Sequence, residues 1–229
     1  MSMNKEFVKD LLQWDVKSWS KALSYWERKV AWDEIHKGLE LGGREGGLSL
    51  WLALKGKSVV CSDLNEAEKH ACPLHERYEV RALVKYEDID ATNIPYENYF
   101  DVIVFKSIIG GIGRNENYEL QQKVFMEVYK ALKPGGKLLF AENLLASALH
   151  RQLRKRFVNW GNSWRYVSVQ EIKDFLKDFP SYEIKTTGVL AAFRRNERQR
   201  NLLASLDSLA LNKICPKNWR YIGYGIAEK

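Results

Sequence analysis

The 229-residue chain is short of the features that staple, span or divide a protein. Its three cysteines, Cys61, Cys72 and Cys215, are odd in number and show no paired spacing, which excludes a disulfide framework and leads us to expect reduced thiols in the cytoplasm. No stretch of about 18 apolar residues occurs, and the first ten residues mix Lys5, Glu6, Lys9 and Asp10 with apolar side chains. Neither a spanning helix nor a secretory leader is therefore expected. With five prolines, no repeats and no low-complexity tract there is no visible linker, so a single domain is predicted. His70, Cys72 and His75 share one helical stretch without a fourth ligand, and no metal site is expected from them.

The formal charge is +7, and its distribution is uneven. From Arg151 onward there are 16 Lys and Arg against 7 Asp and Glu, which leaves a slight acidic excess before that point. Such an asymmetry suits an anionic partner at the basic end: nucleic acid, an acidic membrane surface or a phosphorylated small molecule. A solvated basic face kept for solubility is the plainer alternative.

Polarity along the chain alternates between the helical and extended periods. Helices are predicted over 6–14, 20–36, 47–55, 65–78, 115–132, 146–158 and 202–211, and strands at about 37–41, 58–62, 82–89, 101–105, 137–141, 182–187 and 219–227. Ser168 with Glu171 three residues on reads as a capping box opening a further helix. Strand alternating with helix means an α/β fold, a mostly parallel, doubly wound sheet with helices on both faces; two closing strands suit an antiparallel addition.

In such a sheet, ligands bind beyond the carboxyl ends of the strands, first of all at the first strand-to-helix turn. Here that turn reads LELGGREGG over residues 39–47, backbone that can take positive φ and let a ligand approach closely, or else a plain structural turn. Arg44 and Glu45 interrupt the glycine pattern that a dinucleotide site would need. The second strand ends at Asp63, which can accept both hydroxyls of a ribose or cap the next helix. The third is followed by Asp90-Ala91, which suits an adenine amino group and ring nitrogen.

Together LELGGREGG, DATNIP at 90–95 with FDVI at 100–103, and VYKALKPGGK at 128–137 resemble the class I S-adenosylmethionine-dependent methyltransferases, of the type 11 kind, over about residues 35–142. The resemblance implies a Rossmann-like sheet of seven strands with the last inserted antiparallel, and S-adenosyl-L-methionine as cofactor. It implies Glu40 and Gly42 near the methionine portion, Gly46 in the glycine loop, Asp63 at the ribose, Asp90 and Ala91 at adenine, and Lys106 beside the cofactor, with Gly43 and Leu64 also among the cofactor-binding residues. On this reading residues 1–36 are a helical cap, 37–145 the cofactor-binding core and 146–229 basic, substrate-facing helices and closing strands. Arg44 stands where the family has its middle glycine, so its side chain must point away or meet the cofactor's carboxylate. The glycine-rich run at 108–113, where relatives carry His or aromatics, is expected to form a mobile or close-packed substrate wall.

Methyl transfer is an in-line attack on a sulfonium, which chiefly requires alignment and exclusion of water. If the acceptor is a hydroxyl, a general base helps, and His150 and Glu142 near the end of the fifth strand are the candidates. No Asn or Asp followed by Pro-Pro-Tyr or Phe occurs after the fourth strand, which by resemblance argues against an adenine amine or a glutamine amide. Basic residues interleaved with aromatics (Arg151, Arg154, Lys155, Arg156, Trp160, Trp164, Arg165, then Arg194, Arg195, Arg198 and Arg200) suit phosphates, whether of nucleic acid or of a lipid-linked sugar at a membrane surface. The stretches 164–179 and 206–229 are similar to small-molecule and glycan-pathway methyltransferases. A hydroxyl of a sugar or lipid-linked sugar is therefore the expected acceptor, with RNA and a non-catalytic scaffold role as alternatives.

Overall fold

The structure is a computed structural model and describes residues 5–157, 163–190 and 197–229. Its seven strands are β1 (Lys37–Leu41), β2 (Ser58–Asp63), β3 (Val84–Asp88), β4 (Phe100–Lys106), β5 (Leu132–Asn143), β6 (Ser181–Thr187) and β7 (Ile222–Glu228). They form one sheet in the order β3-β2-β1-β4-β5-β7-β6, parallel except for β7, which is inserted antiparallel between β5 and β6. Strand order reverses between β1 and β4, so the crevice that accepts ligands in such sheets lies beyond Leu41 and Lys106.

The central strands are apolar on both faces because both are covered. In β4, Val102 and Val104 face a cluster with helices α1 (Lys5–Leu12), α2 (Val16–Lys29), α3 (Gly47–Ala53) and α4 (Ala67–Arg77), while Ile103 and Phe105 face α6 (Tyr118–Ala131) and α8 (Val169–Phe175). All four side chains are fully buried, each contributing about 1.5–3 kcal/mol of transfer free energy. A charge at Ile103 would break this layer. Short helices α5 (Ile109–Ile112) and α10 (Asn212–Ile214), with α7 (Ala148–Phe157) and α9 (Glu197–Leu206), gather near the carboxyl edge of the sheet. Among the described residues no helix is long and apolar enough to cross a membrane.

Several boundaries differ from the expected ones, each for a local reason. The predicted 20–36 helix runs over Val16–Lys29 and stops where Val30 turns extended, and a one-turn helix at Trp32–Glu34 follows. The 65–78 helix starts at Ala67, whose N–H is accepted by Asp88 Oδ1 at 2.9 Å. The 115–132 helix starts only after Asn117, whose side chain caps Leu120 N–H. The Lys133-Pro134-Gly135-Gly136 turn lies within β5, where the pairing with β4 shifts register. The capping box at Ser168 and Glu171 forms in both directions.

Candidate functional site at the carboxyl edge

The glycine loop leaves β1 at Gly42, which takes φ 61°, and is pinned to the next strand by Gly43 N–H donating to Ser62 O at 2.7 Å. Gly46 ends the loop at φ 73°, and a Cβ there would lie 2.6 Å from the His75 ring. Only glycine fits both the backbone and the space. His75 is buried beneath, one ring nitrogen on Gly46 O and the other on Tyr86 OH, each at 2.8 Å, so it supports the loop. Arg44 adopts the left-handed conformation expected of a glycine, φ 51°, and is exposed. Among the described residues no group of His, Cys, Asp and Glu side chains is placed to hold a metal.

Asp63, at the end of β2, closes this loop: its Oδ2 accepts Arg44 N–H at 2.8 Å and its Oδ1 accepts Leu64 N–H at 2.7 Å. Each oxygen keeps a further lone pair for a hydroxyl donor. Leu64 itself is 60% exposed beside it. Asp90 folds its own loop, accepting Thr92 N–H and Thr92 Oγ1–H at 2.8 Å, and Ala91 packs against the core behind it. Asp63 and Asp90 thus follow neighbouring strands β2 and β3, on the flank of the crevice predicted for ribose and adenine.

Three charged groups stand at the ends of the adjacent strands β1, β4 and β5: Glu40, Lys106 and Glu142. Glu40 is buried and accepts Leu48 N–H at 3.2 Å and Ser49 N–H at 2.6 Å, so it ties the strand to the start of α3. Glu142 is equally buried and accepts Ile109 N–H and Asn143 N–H at 2.8 and 2.7 Å. Burial pushes both carboxyls up to about 7, against these hydrogen bonds and the charge of Lys106, which favour ionisation.

Lys106 is different. Its Nζ is buried and has no hydrogen-bond partner among the described residues. It lies 3.1 Å from the ring centre of Trp14 and 5.3 Å from that of Trp19, under the junction of α1 and α2. Desolvation brings its ammonium down to about 7, opposed by the charges of Glu40, Glu142 and Asp15. Cation–π contact replaces only part of the lost hydration. Trp14, well over 80 residues away in sequence, carries no local signal for this contact.

The two proposed bases are both engaged. His150 is buried in the first turn of α7, with Nε2 2.7 Å from Val189 O and Nδ1 2.7 Å from Ser147 Oγ. Since a carbonyl only accepts, Nε2 carries the proton and Nδ1 takes the serine hydroxyl. Burial keeps this ring below its ordinary value. Glu142 has both oxygens on backbone amides, as above. The glycine-rich run at 108–113 is close-packed: a Cβ at Gly110 would lie 1.8 Å from Trp164 Nε1, so the indole fills the place of a side chain.

Part of the basic tail serves the fold. Arg154 donates to Leu144 O at 2.7 Å and stacks on Tyr166, and Arg165 is held by Gln121 and Glu171. These two guanidinium groups, expected to meet phosphate, are therefore committed internally. Arg151 and Arg156 are exposed on α7. Trp160, Arg194 and Arg195, and the side chains of Lys155, Arg198 and Arg200, lie outside the described residues.

Comparison with known proteins bears on the family and the fold. Residues 39–140 match the family model described as a methyltransferase domain. Among solved structures, the MccD protein superposes with TM-score 0.63 at 16% identity, covering 91% of this chain and 96% of that one. The PH0226 protein of Pyrococcus horikoshii OT3 gives 0.63 at 17%, covering 95% and 90%. Phosphoethanolamine N-methyltransferase 2 of Haemonchus contortus, solved with phosphomonomethylethanolamine and S-adenosylhomocysteine, gives 0.61 at 20%, covering 92% of this chain and 52% of that one. The chain thus spans about half the length of that enzyme. At these identities the likeness is one of fold. No curated protein sequence matches the chain.

Proposed function

Because residues 39–140 make this chain a class I S-adenosylmethionine-dependent methyltransferase, we propose that it methylates a hydroxyl of a small molecule, a sugar or a lipid-linked sugar, in the cytoplasm. The residues fit the cofactor: a loop after β1 that takes positive φ at Gly42 and Gly46, acidic side chains at the ends of β2 and β3, and an orphaned buried ammonium at the switch point. Glu40 and the glycine loop would hold the methionine portion, Asp63 and Leu64 the ribose, Asp90 and Ala91 the adenine. Bound there, S-adenosylmethionine supplies an electrophilic methyl group on a sulfonium.

What this chain adds is position and a proton acceptor. Lys106 Nζ carries the mechanistic reading, because it has no hydrogen-bond partner among the described residues, whereas both nitrogens of His150 are engaged and each Glu142 oxygen already accepts a backbone N–H. Next to a further positive charge, Lys106 moves toward the neutral amine, and that amine takes the proton which the acceptor hydroxyl loses. Glu40, Glu142 and Asp15 balance the cationic charge of the pocket. The small phosphorylated molecule held by the Haemonchus contortus enzyme supports an acceptor of that size class. The internal engagement of Arg154 and Arg165 weighs against a phosphate track for RNA. Transfer of labelled methyl from S-adenosylmethionine to glycan precursors tests the reading; labelling of bulk RNA with none of glycan precursors would refute it.

A further inference from the structure

The last third of the chain holds a surface that the methyl-transfer reading does not use. β6 ends at Thr187 opposite Ile222, the first residue of β7, and Ile222 pairs with Asn143 at the carboxyl end of β5. Both ends of the stretch that joins Thr187 to Ile222 therefore lie at the edge that carries Glu40, Lys106 and Glu142. Within it, α9 runs into a wider turn at Asp207–Leu211 and then α10. One side of this arm is anchored: Ala204 and Asp207 are buried, and the two Asp207 oxygens accept Val189 N–H and Leu190 N–H at 2.9 and 2.8 Å. Asn212 holds Gly188 N–H, and Lys17 of α2 donates to Ser205.

The opposite side is apolar and open. Leu202, Leu206 and Leu209 follow one another at helical spacing and are 66%, 45% and 72% exposed; Ile214 and Trp219 beyond them are 76% and 48% exposed. Five large apolar side chains on one short arm exceed what scattered surface residues need. Residues 197–220, from the start of α9, also carry five Lys and Arg against two Asp and Glu. Of these, Arg220 is engaged with carbonyls of Thr186, Asn212 and Cys215. Aliphatic side chains do not track a nucleic-acid backbone, and pairing two copies through this face would bring like charges together.

We propose that this arm docks on the surface of an anionic lipid bilayer. Its leucines, Ile214 and Trp219 enter the boundary between headgroups and acyl chains, and the basic residues of the same stretch meet lipid phosphate. Resting on the reading of the carboxyl edge as the catalytic edge, this places the acceptor site next to the membrane and suits an amphiphilic, lipid-linked acceptor.

The test is co-sedimentation of the full chain with vesicles of phosphatidylcholine alone or with about one-third phosphatidylglycerol, at low and high salt. Binding to the anionic vesicles that weakens with salt is expected, with a loss of about tenfold or more in the Leu206→Glu/Leu209→Glu variant and a loss in Ile214→Glu, since binding scales with the apolar area inserted. Thermal melting of both variants is expected to match wild type, as these side chains are exposed. Failure of wild type to bind, equal binding to neutral vesicles, unchanged binding by both variants, or a wild-type dimer that the variants convert to monomer would overturn the proposal. Calorimetry with S-adenosylmethionine on the same samples separates the two claims: vesicle binding without cofactor binding would strike the proposed activity and leave the docking face standing.

Discussion

Replacing Lys106 by Met is expected to make the protein more stable and nearly inactive. The ammonium is buried without a hydrogen bond, beside two indole rings, and its fall from an ordinary 10.5 to about 7 is the sum of a large desolvation penalty and a smaller attraction to Glu40, Glu142 and Asp15. At about 1.4 kcal/mol for each tenfold change, that fall corresponds to about 5 kcal/mol as an upper bound. Removing the lysine also removes its help to the two carboxylates, so a gain of about 1–4 kcal/mol is the realistic range. The pH dependence carries the sign. Between about 7 and 10.5 the unfolded chain still holds the lysine proton that the native chain has lost, so this group's contribution to stability rises with pH across that window. The advantage of the Met variant is therefore largest at about pH 6 and shrinks by a few kcal/mol toward about pH 9.5. Urea unfolding of both proteins at the two pH values measures it, and turnover is expected to fall by about a hundredfold or more with the proton acceptor gone. A Met variant less stable at the lower pH, or equally favoured at both, would refute the assignment of a buried, unpaired ammonium.

Arg44→Gly is expected to stabilise the loop. An L-residue in the left-handed region costs about 1–2 kcal/mol and glycine's extra unfolded-state entropy about 0.5–1, leaving a net gain of about 0.5–1 kcal/mol and a melting temperature raised by about 2 °C. Gly46→Ala adds the same backbone strain and a contact of 2.6 Å with His75, so thermal melting is expected to show a loss of about 2–4 kcal/mol. His150→Gln is expected to destabilise by about 2–3 kcal/mol while leaving cofactor affinity intact. Because burial lowers this histidine, its contribution is present above the unfolded value of 6.5 and lost as pH falls through the native one; denaturation profiles of the variant should be flatter there.

The alternation of strand and helix was legible because periods of 2 and 3.6 are local, and so were the glycine turn after β1, the places of Asp63 and Asp90 at the ends of β2 and β3, and the box at Ser168. The boundaries were not, because they depend on partners: Asp88 caps α4 from a neighbouring strand, and β5 reaches back through Gly135 and Gly136 to pair Leu132 with Phe100. The chemistry of the site was least legible. Trp14 on Lys106, Trp164 over Gly110 and His150 on Val189 O are contacts across 39 residues or more, and none has a local pattern. His150 had the right residue type for a base, yet its neighbours occupy both of its nitrogens, whereas Lys106, expected beside the cofactor, owes its lowered basicity to what packs around it. The basic tail shows the same limit, since its charges could be counted while their internal partners could not.

The central claim, a cofactor pocket at the carboxyl edge between Gly42, Asp63 and Lys106, is tested most directly by calorimetric titration of the full chain with S-adenosylmethionine, wild type beside Asp63→Ala. Saturable binding by wild type is expected, weakened by about 10- to 100-fold in the variant, the worth of hydrogen bonds to one charged acceptor. No heat of binding at millimolar cofactor, or equal affinity in the two proteins, would contradict it.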